Sequence, residues 1–106
     1  MSAELVRLRR DYTPVFLKFL TTRDETGLRA AYELGREAVR RSLGLVDLLR
    51  VHNETYLEVV GTVTTVEEAR EVAAAASTVL MELVAAFDMT QRGFMDVTLH
   101  RADGAR

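Results

Sequence analysis

The clearest pattern of apolar and polar positions lies in the last third of the chain. From Val66 onward, apolar or small residues fall at alternating steps of three and four. They are Val66, Ala69, Ala73, Ala76, Leu80, Leu83, Phe87, Thr90, Phe94 and Val97. No proline interrupts the run. The spacing predicts a helix with an a/d seam, packed along one line against other helices. Thr65-Val66-Glu67-Glu68 reads as a capping box and sets the start of that helix. Between Val72 and Phe87 the helix is apolar nearly all round. Val72, Ala75, Val79 and Ala86 form a second stripe beside the first. One stripe suffices for a small monomeric bundle. Two predict contact with the chain's own helices and with a second copy. The expected dimer interface comprises Val72, Ala76, Val79, Leu80, Leu83 and Phe87. From Val66 to Val97 the helix would span about 48 Å, against roughly 27 Å for a helix of about eighteen residues. It would overshoot its bundle. The pattern weakens at Arg92-Gly93, and Met95 to Leu99 alternates like a strand. Residues 1–98 are therefore expected to form the helical domain, with 99–106 a flexible tail or the start of a linker.

Three further helices precede it. The first is predicted from about Ala3 to Leu20, with Leu5, Leu8, Tyr12, Val15, Phe16, Phe19 and Leu20 on one stripe. Pro14 sits inside that pattern, where a helix loses a backbone hydrogen bond. It marks either a kink or the true helix start. Asp24 is the expected N-cap of the second helix, which runs to about Leu43. Leu28, Ala31, Tyr32, Gly35, Ala38 and Val39 recur there at helical spacing. Gly35 costs about 1 kcal/mol against alanine. A helix keeps such a glycine most readily where another backbone comes close. Gly44 is read as a C-cap. The third helix follows, from about Leu45 to Val60, with Leu48, Leu49, His52, Tyr56 and Val59 on its stripe.

Composition narrows the function classes. At 106 residues the chain is one domain. The absence of cysteine removes disulfides, thiolate chemistry and most structural zinc sites. A net charge of −2 gives nucleic-acid binding no bulk electrostatic support. No apolar stretch is expected to reach the roughly eighteen residues needed to cross a bilayer; the densest run, Val72 to Val84, is shorter and carries Ser77, Thr78 and Glu82. The N-terminus lacks a signal-peptide pattern. A cytoplasmic protein off the membrane is expected.

No nucleotide-binding loop, Gly-x-Ser-x-Gly or His-Glu-x-x-His occurs. Of the two histidines, His100 lies in the tail. His52 lies on an apolar stripe, where a half-buried histidine bonded to a neighbouring side chain is expected. No metal, cofactor or catalytic residue is assigned. Glu67, Glu68 and Glu71 suit the positive end of the last helix.

Three segments in order carry a family resemblance. Ala31-Tyr32-Glu33-Leu34-Gly35-Arg36-Glu37-Ala38 is followed by Leu45-Val46-Asp47-Leu48-Leu49-Arg50-Val51-His52. Phe87-Asp88-Met89-Thr90-Gln91-Arg92-Gly93-Phe94 comes later. Together they resemble the N-terminal domain of RsbU-type phosphoserine phosphatases of bacterial stress signalling. The resemblance covers roughly Tyr12 to Phe94. It implies an all-α four-helix bundle with a long C-terminal helix, forming a homodimer and serving as a regulatory input. In that family a kinase-like switch protein binds the domain and activates a C-terminal PPM-type phosphatase. The phosphatase dephosphorylates an anti-sigma-factor antagonist, which frees a sigma factor. This chain has no room for the phosphatase. It is expected to be a fragment, truncated on its C-terminal side, or a stand-alone regulatory module.

Tyr32, Gly35, Arg36, Asp47 and His52 match the family pattern. Their simplest role is packing between the second and third helices. Their functional role would be a partner-binding surface drawing on Tyr32, Arg36, Asp47, His52 and Tyr56. The alternative function is a small-molecule sensor, with Tyr32, His52 and Tyr56 edging a pocket inside the bundle.

Overall fold

The computed structural model describes residues 3–104, with side chains for 3–95. Four helices follow in order: α1 (Ala3–Thr22), α2 (Glu25–Arg40), α3 (Leu45–Val60) and α4 (Val66–Gly104). The fold is all-α, with no strand among the described residues.

α1 buries Leu5, Leu8, Tyr12, Phe16 and Phe19, the stripe read from the sequence. It runs unbroken through the exposed Pro14, so the helix does not start there. The Thr13 hydroxyl donates to the Arg9 carbonyl at 2.9 Å. Arg23 ends α1 in the left-handed region, at φ 53°. Its amide bonds the Phe19 carbonyl at 2.8 Å, a left-handed helix stop made without glycine. Its guanidinium donates to the Glu71 carbonyl of α4 at 2.6 Å and so ties the corner to the last helix.

α2 starts as expected. The Asp24 carboxylate accepts from the Gly27 amide at 3.0 Å. Its end differs from the sequence reading. The helix stops at Arg40, and Ser42 takes the left-handed conformation at φ 60°. The Leu43 amide reaches back to the Ala38 carbonyl at 2.9 Å, the long bond of a Schellman stop. Gly44 is therefore not the C-cap of α2. It opens α3, where the Asp47 carboxylate accepts from the Gly44 amide at 3.1 Å. At the start of α4 the Thr65 hydroxyl oxygen accepts from the Glu68 amide at 3.1 Å.

The most extensive helix contact joins α2 to α4. A Cβ on Gly35 would lie 2.7 Å from the Leu83 carbonyl oxygen and 2.9 Å from the Ala86 Cβ. The missing side chain lets the two backbones meet. Ala31 and Ala38, one turn either side, are also fully buried. Farther out, Arg41 spans Asp11 of α1 at 3.1 Å and Glu37 of its own helix at 3.4 Å.

α4 does not end at the weak point Arg92-Gly93 or at Val97. It continues through Arg92-Gly93 to Gly104. At 39 residues it is about 58 Å long and sets the 62 Å long axis of the molecule. Its buried face is Val72, Ala75, Ala76, Val79, Leu83, Ala86 and Phe87. The second stripe is thus the true core line, joined by only part of the first. Val66, Ala73 and Phe94 from the first stripe are exposed. The membrane arithmetic also changes. Within Val66–Met95 an 18-residue window reaches a mean hydropathy of 1.6, long and apolar enough to span a bilayer by length and composition. Isolated polar residues such as Glu82 do not offset the surrounding Ala, Val and Leu. Its buried face is nevertheless packed on α1, α2 and α3, as in the core helix of a bundle.

Gly35→Ala is expected to lower stability by about 1–2 kcal/mol: overpacking against a backbone carbonyl outweighs the gain in helix propensity. The shift in urea midpoint measures it, and an unchanged or raised midpoint would contradict the close approach.

Candidate functional site

The residues singled out in the sequence fall in three separate places. His52 is in the core, 6% exposed. Its Nδ1 lies 2.6 Å from the hydroxyl of Tyr12, which reaches across from α1. With His52 neutral and protonated at Nε2, the phenol donates to Nδ1. Phe16 packs against both rings, with centroids 6.0 Å and 6.2 Å away. Burial pushes the Tyr12 hydroxyl well above the usual tyrosine range and holds His52 below the usual histidine value. Both effects favour a neutral, hydrogen-bonded pair. The expected bonded histidine is present, and at this depth it has no surface to offer a partner. Outside the pair, Arg9 bonds Glu54 at 3.3 Å and Glu58 at 2.9 Å, which joins α1 to α3 a second time. Thr55, one turn on from His52, is buried, and its hydroxyl has no hydrogen-bond partner.

Asp47 is occupied in capping α3. Tyr56 is half-buried against the core. Tyr32 and Arg36 lie elsewhere, on the outer side of α2 facing α4. They do not meet His52 or Tyr56, so the three aromatic residues do not edge one interior pocket.

Tyr32 and Arg36 do line a cleft of about 620 Å³ between α2 and the upper part of α4. Tyr32, Arg36 and Arg40 form its α2 wall, and Met89, Thr90, Gly93 and Phe94 its α4 wall. Two guanidinium groups line it, and none of these seven residues is acidic. An adjoining groove of about 530 Å³ begins at Tyr32 and runs toward the start of α2. It has the opposite charge character, with Glu25, Glu33 and Glu82 against the single Arg29. On the α2 side, Tyr32 and Arg36 were among the residues singled out in the sequence, and Arg40 was not. Its α4 side was missed, because nothing local says that Thr90 and Phe94 stand opposite Arg36.

The residues expected at a dimer interface also divide. Val72, Ala76, Val79, Leu83 and Phe87 are 5% exposed or less and pack inside the chain's own bundle. Leu80 is half-buried. The face of α4 left open carries Ala73, Ala74, Ser77, Met81 and Ala85 instead. Among the described residues no three His, Cys, Asp or Glu side chains gather as a metal site would require.

Residues 10–90 match the family model described as the N-terminal domain of the phosphoserine phosphatase RsbU. No curated protein and no solved structure matches the chain significantly.

Tyr12→Phe is expected to cost about 1–3 kcal/mol, because it leaves a buried ring nitrogen unpaired; chemical denaturation measures it. Thr55→Val should leave stability unchanged or raise it, since the lone buried hydroxyl disappears at nearly constant volume. The pH dependence follows from His52. Its folded pKa is depressed, so the unfolded chain binds the proton more readily. Stability is therefore expected to fall as pH drops below about 6.5, the ordinary histidine value. Thermal unfolding between pH 8 and pH 5 tests this, against a His52→Gln control in which this component of the slope is absent.

Proposed function

We propose a regulatory role that starts from the family: the chain belongs to the N-terminal domains of the phosphoserine phosphatase RsbU. In this reading the module does no chemistry itself. It is a cytoplasmic homodimer that receives a kinase-like switch protein. It passes that binding event along α4 to a PPM-type serine phosphatase output, within sigma-factor partner switching.

The observation that carries the dimer is the outer face of α4. Between Val72 and Phe87 the helix holds one charged residue, Glu82. Its inner face is already used by the core. Its outer face leaves Met81 68% exposed among alanines and Ser77. An uncharged helix face of this length supports close packing on a second helix. The small residues let two such helices approach. The interface read from the sequence thus moves by part of a turn, to Ala73, Ser77, Met81, Val84 and Ala85, with Leu80 at its edge.

The partner surface rests on the exposed side of α2. The half-buried Tyr32 and Arg36 edge it along the α4 cleft, beside the exposed Arg29 and Glu33. Asp47, His52 and Tyr56 belong to α3 instead, where they serve its cap and the core. The length of α4 past the bundle supports the relay, since a continuous helix carries a change of angle from one end to the other.

At tens of micromolar the chain is expected to sediment as a dimer. Met81→Asp should shift it to a monomer with helical content retained. A wild-type monomer, or a Met81→Asp variant that stays dimeric, would count against this interface. Leu83→Asp is not a useful probe, because it would place a charge in the chain's own core. Titration with the kinase-like switch protein of the same organism tests the partner surface. Arg36→Glu is expected to weaken binding about tenfold or more, the 1.4 kcal/mol scale of one good contact.

A further inference from the structure

The glycines of α2 and α4 make a contrast. Gly35 is required by packing. Gly93 is not: a Cβ built there would meet nothing within 4 Å. Yet a glycine inside a helix costs about 1 kcal/mol against alanine. Gly93 lines the cleft between α2 and α4, on the wall opposite Arg36 and Arg40. A large side chain there would take up part of that cleft.

The opposite wall is a column. Tyr32, Arg36 and Arg40 are spaced four apart on α2, so each stands about 6 Å above the last on one face. Two guanidinium groups at that separation can converge on one dianionic group. Their present partners are weak. Arg36 lies 3.7 Å from Glu33, and Arg40 3.4 Å from Glu37, both exposed pairs on their own helix. Glu37 is shared further with Arg41, at 3.4 Å. Among the described residues the α4 wall is Met89, Thr90, Gly93 and Phe94, none of them a carboxylate. The cleft is broad and open to solvent on one side, with a volume of about 620 Å³.

We propose that this cleft binds a small organic phosphate carrying a flat apolar ring. The phosphate sits between Arg36 and Arg40. The ring lies against Phe94 and Met89, in the space that Gly93 leaves open. Thr90 and the Tyr32 hydroxyl are placed to bond the phosphate oxygens or the ring's polar edge. The site would report a metabolite to the same helix that carries the partner signal, and it stands without any protein partner.

Isothermal titration of the full chain with phenyl phosphate, inorganic phosphate and phenol tests this directly, in the absence of any partner. Phenyl phosphate is expected to bind at least tenfold more tightly than either of the other two. The double variant Arg36→Gln, Arg40→Gln should lose that binding. Gly93→Leu should lose it with both arginines intact, and Phe94→Ala should reduce it toward the level of inorganic phosphate. Helical content should be retained in all of them. None should unfold at a lower temperature because of a lost core contact, since these positions lie outside the core. Gly93→Leu is expected to unfold at the same or a higher temperature, leucine being the better helix former. No saturable binding of phenyl phosphate up to about tenfold above typical metabolite-site millimolar affinity, or binding that Arg36→Gln, Arg40→Gln and Gly93→Leu leave unchanged, would overturn the proposal. Equal affinity for phenyl phosphate and inorganic phosphate would also overturn it, because the ring would then contribute nothing.

Discussion

Everything in this bundle is arranged around one close approach, the backbone of α2 at Gly35 against the carbonyl of Leu83 on α4. Dispersion and hydrophobic burial fall off steeply with separation. A side chain at position 35 would push the helices apart and loosen Ala31, Ala38 and Ala86 together. With the helices close, α4 buries its line of Val72, Val79, Leu83 and Phe87, and α1 and α3 fill the remaining sides. The polar links then hold the rim. Arg23 reaches α4, Arg41 reaches α1, and Arg9 ties α1 to α3.

That approach also decides what is left over. α4 is much longer than the helices packed against it, and α2 covers only part of its length. Between Ala73 and Phe87 its exposed positions are Ala73, Ala74, Ser77, Thr78, Met81 and Ala85, none of them charged. Where α2 ends, the two helices leave a cleft with both cationic groups on one wall. The regulatory surfaces argued above are therefore the positions at which a short helix and a long one fail to match. They follow from the difference in length as much as from any one residue.

Much of this was legible in the sequence, and the failures have physical causes. Helix starts were readable because Asp24 and Thr65 cap by local bonds. The role of Gly35 was readable because a buried helical glycine has few other uses. The end of α2 was not, because Ser42 took the left-handed conformation that sequence reasoning reserves for glycine. The phase of α4 was misread because alanine is small enough for either side of a helix. In Val72-Ala73-Ala74-Ala75-Ala76 almost any register looks apolar, and only the neighbours decide which stripe is core. His52 was expected to have a partner, but Tyr12 lies forty positions away. No local spacing names such a partner. The cleft was partly visible, since Tyr32 and Arg36 were singled out on α2 but Arg40 was not, and the opposite wall is tertiary.

The length of α4 has a mechanical consequence. A stiff rod gripped at one point turns small rotations into large displacements. If the grip is the Gly35–Leu83 contact, Gly104 lies about 31 Å beyond it. Each degree of tilt at that fulcrum then moves the far end by about half an ångström. About six degrees of tilt would carry the tip about 3 Å, the length of a hydrogen bond. The glycine that tightens the core is thus also the pivot of a lever, and its tightness sets how faithfully the lever transmits.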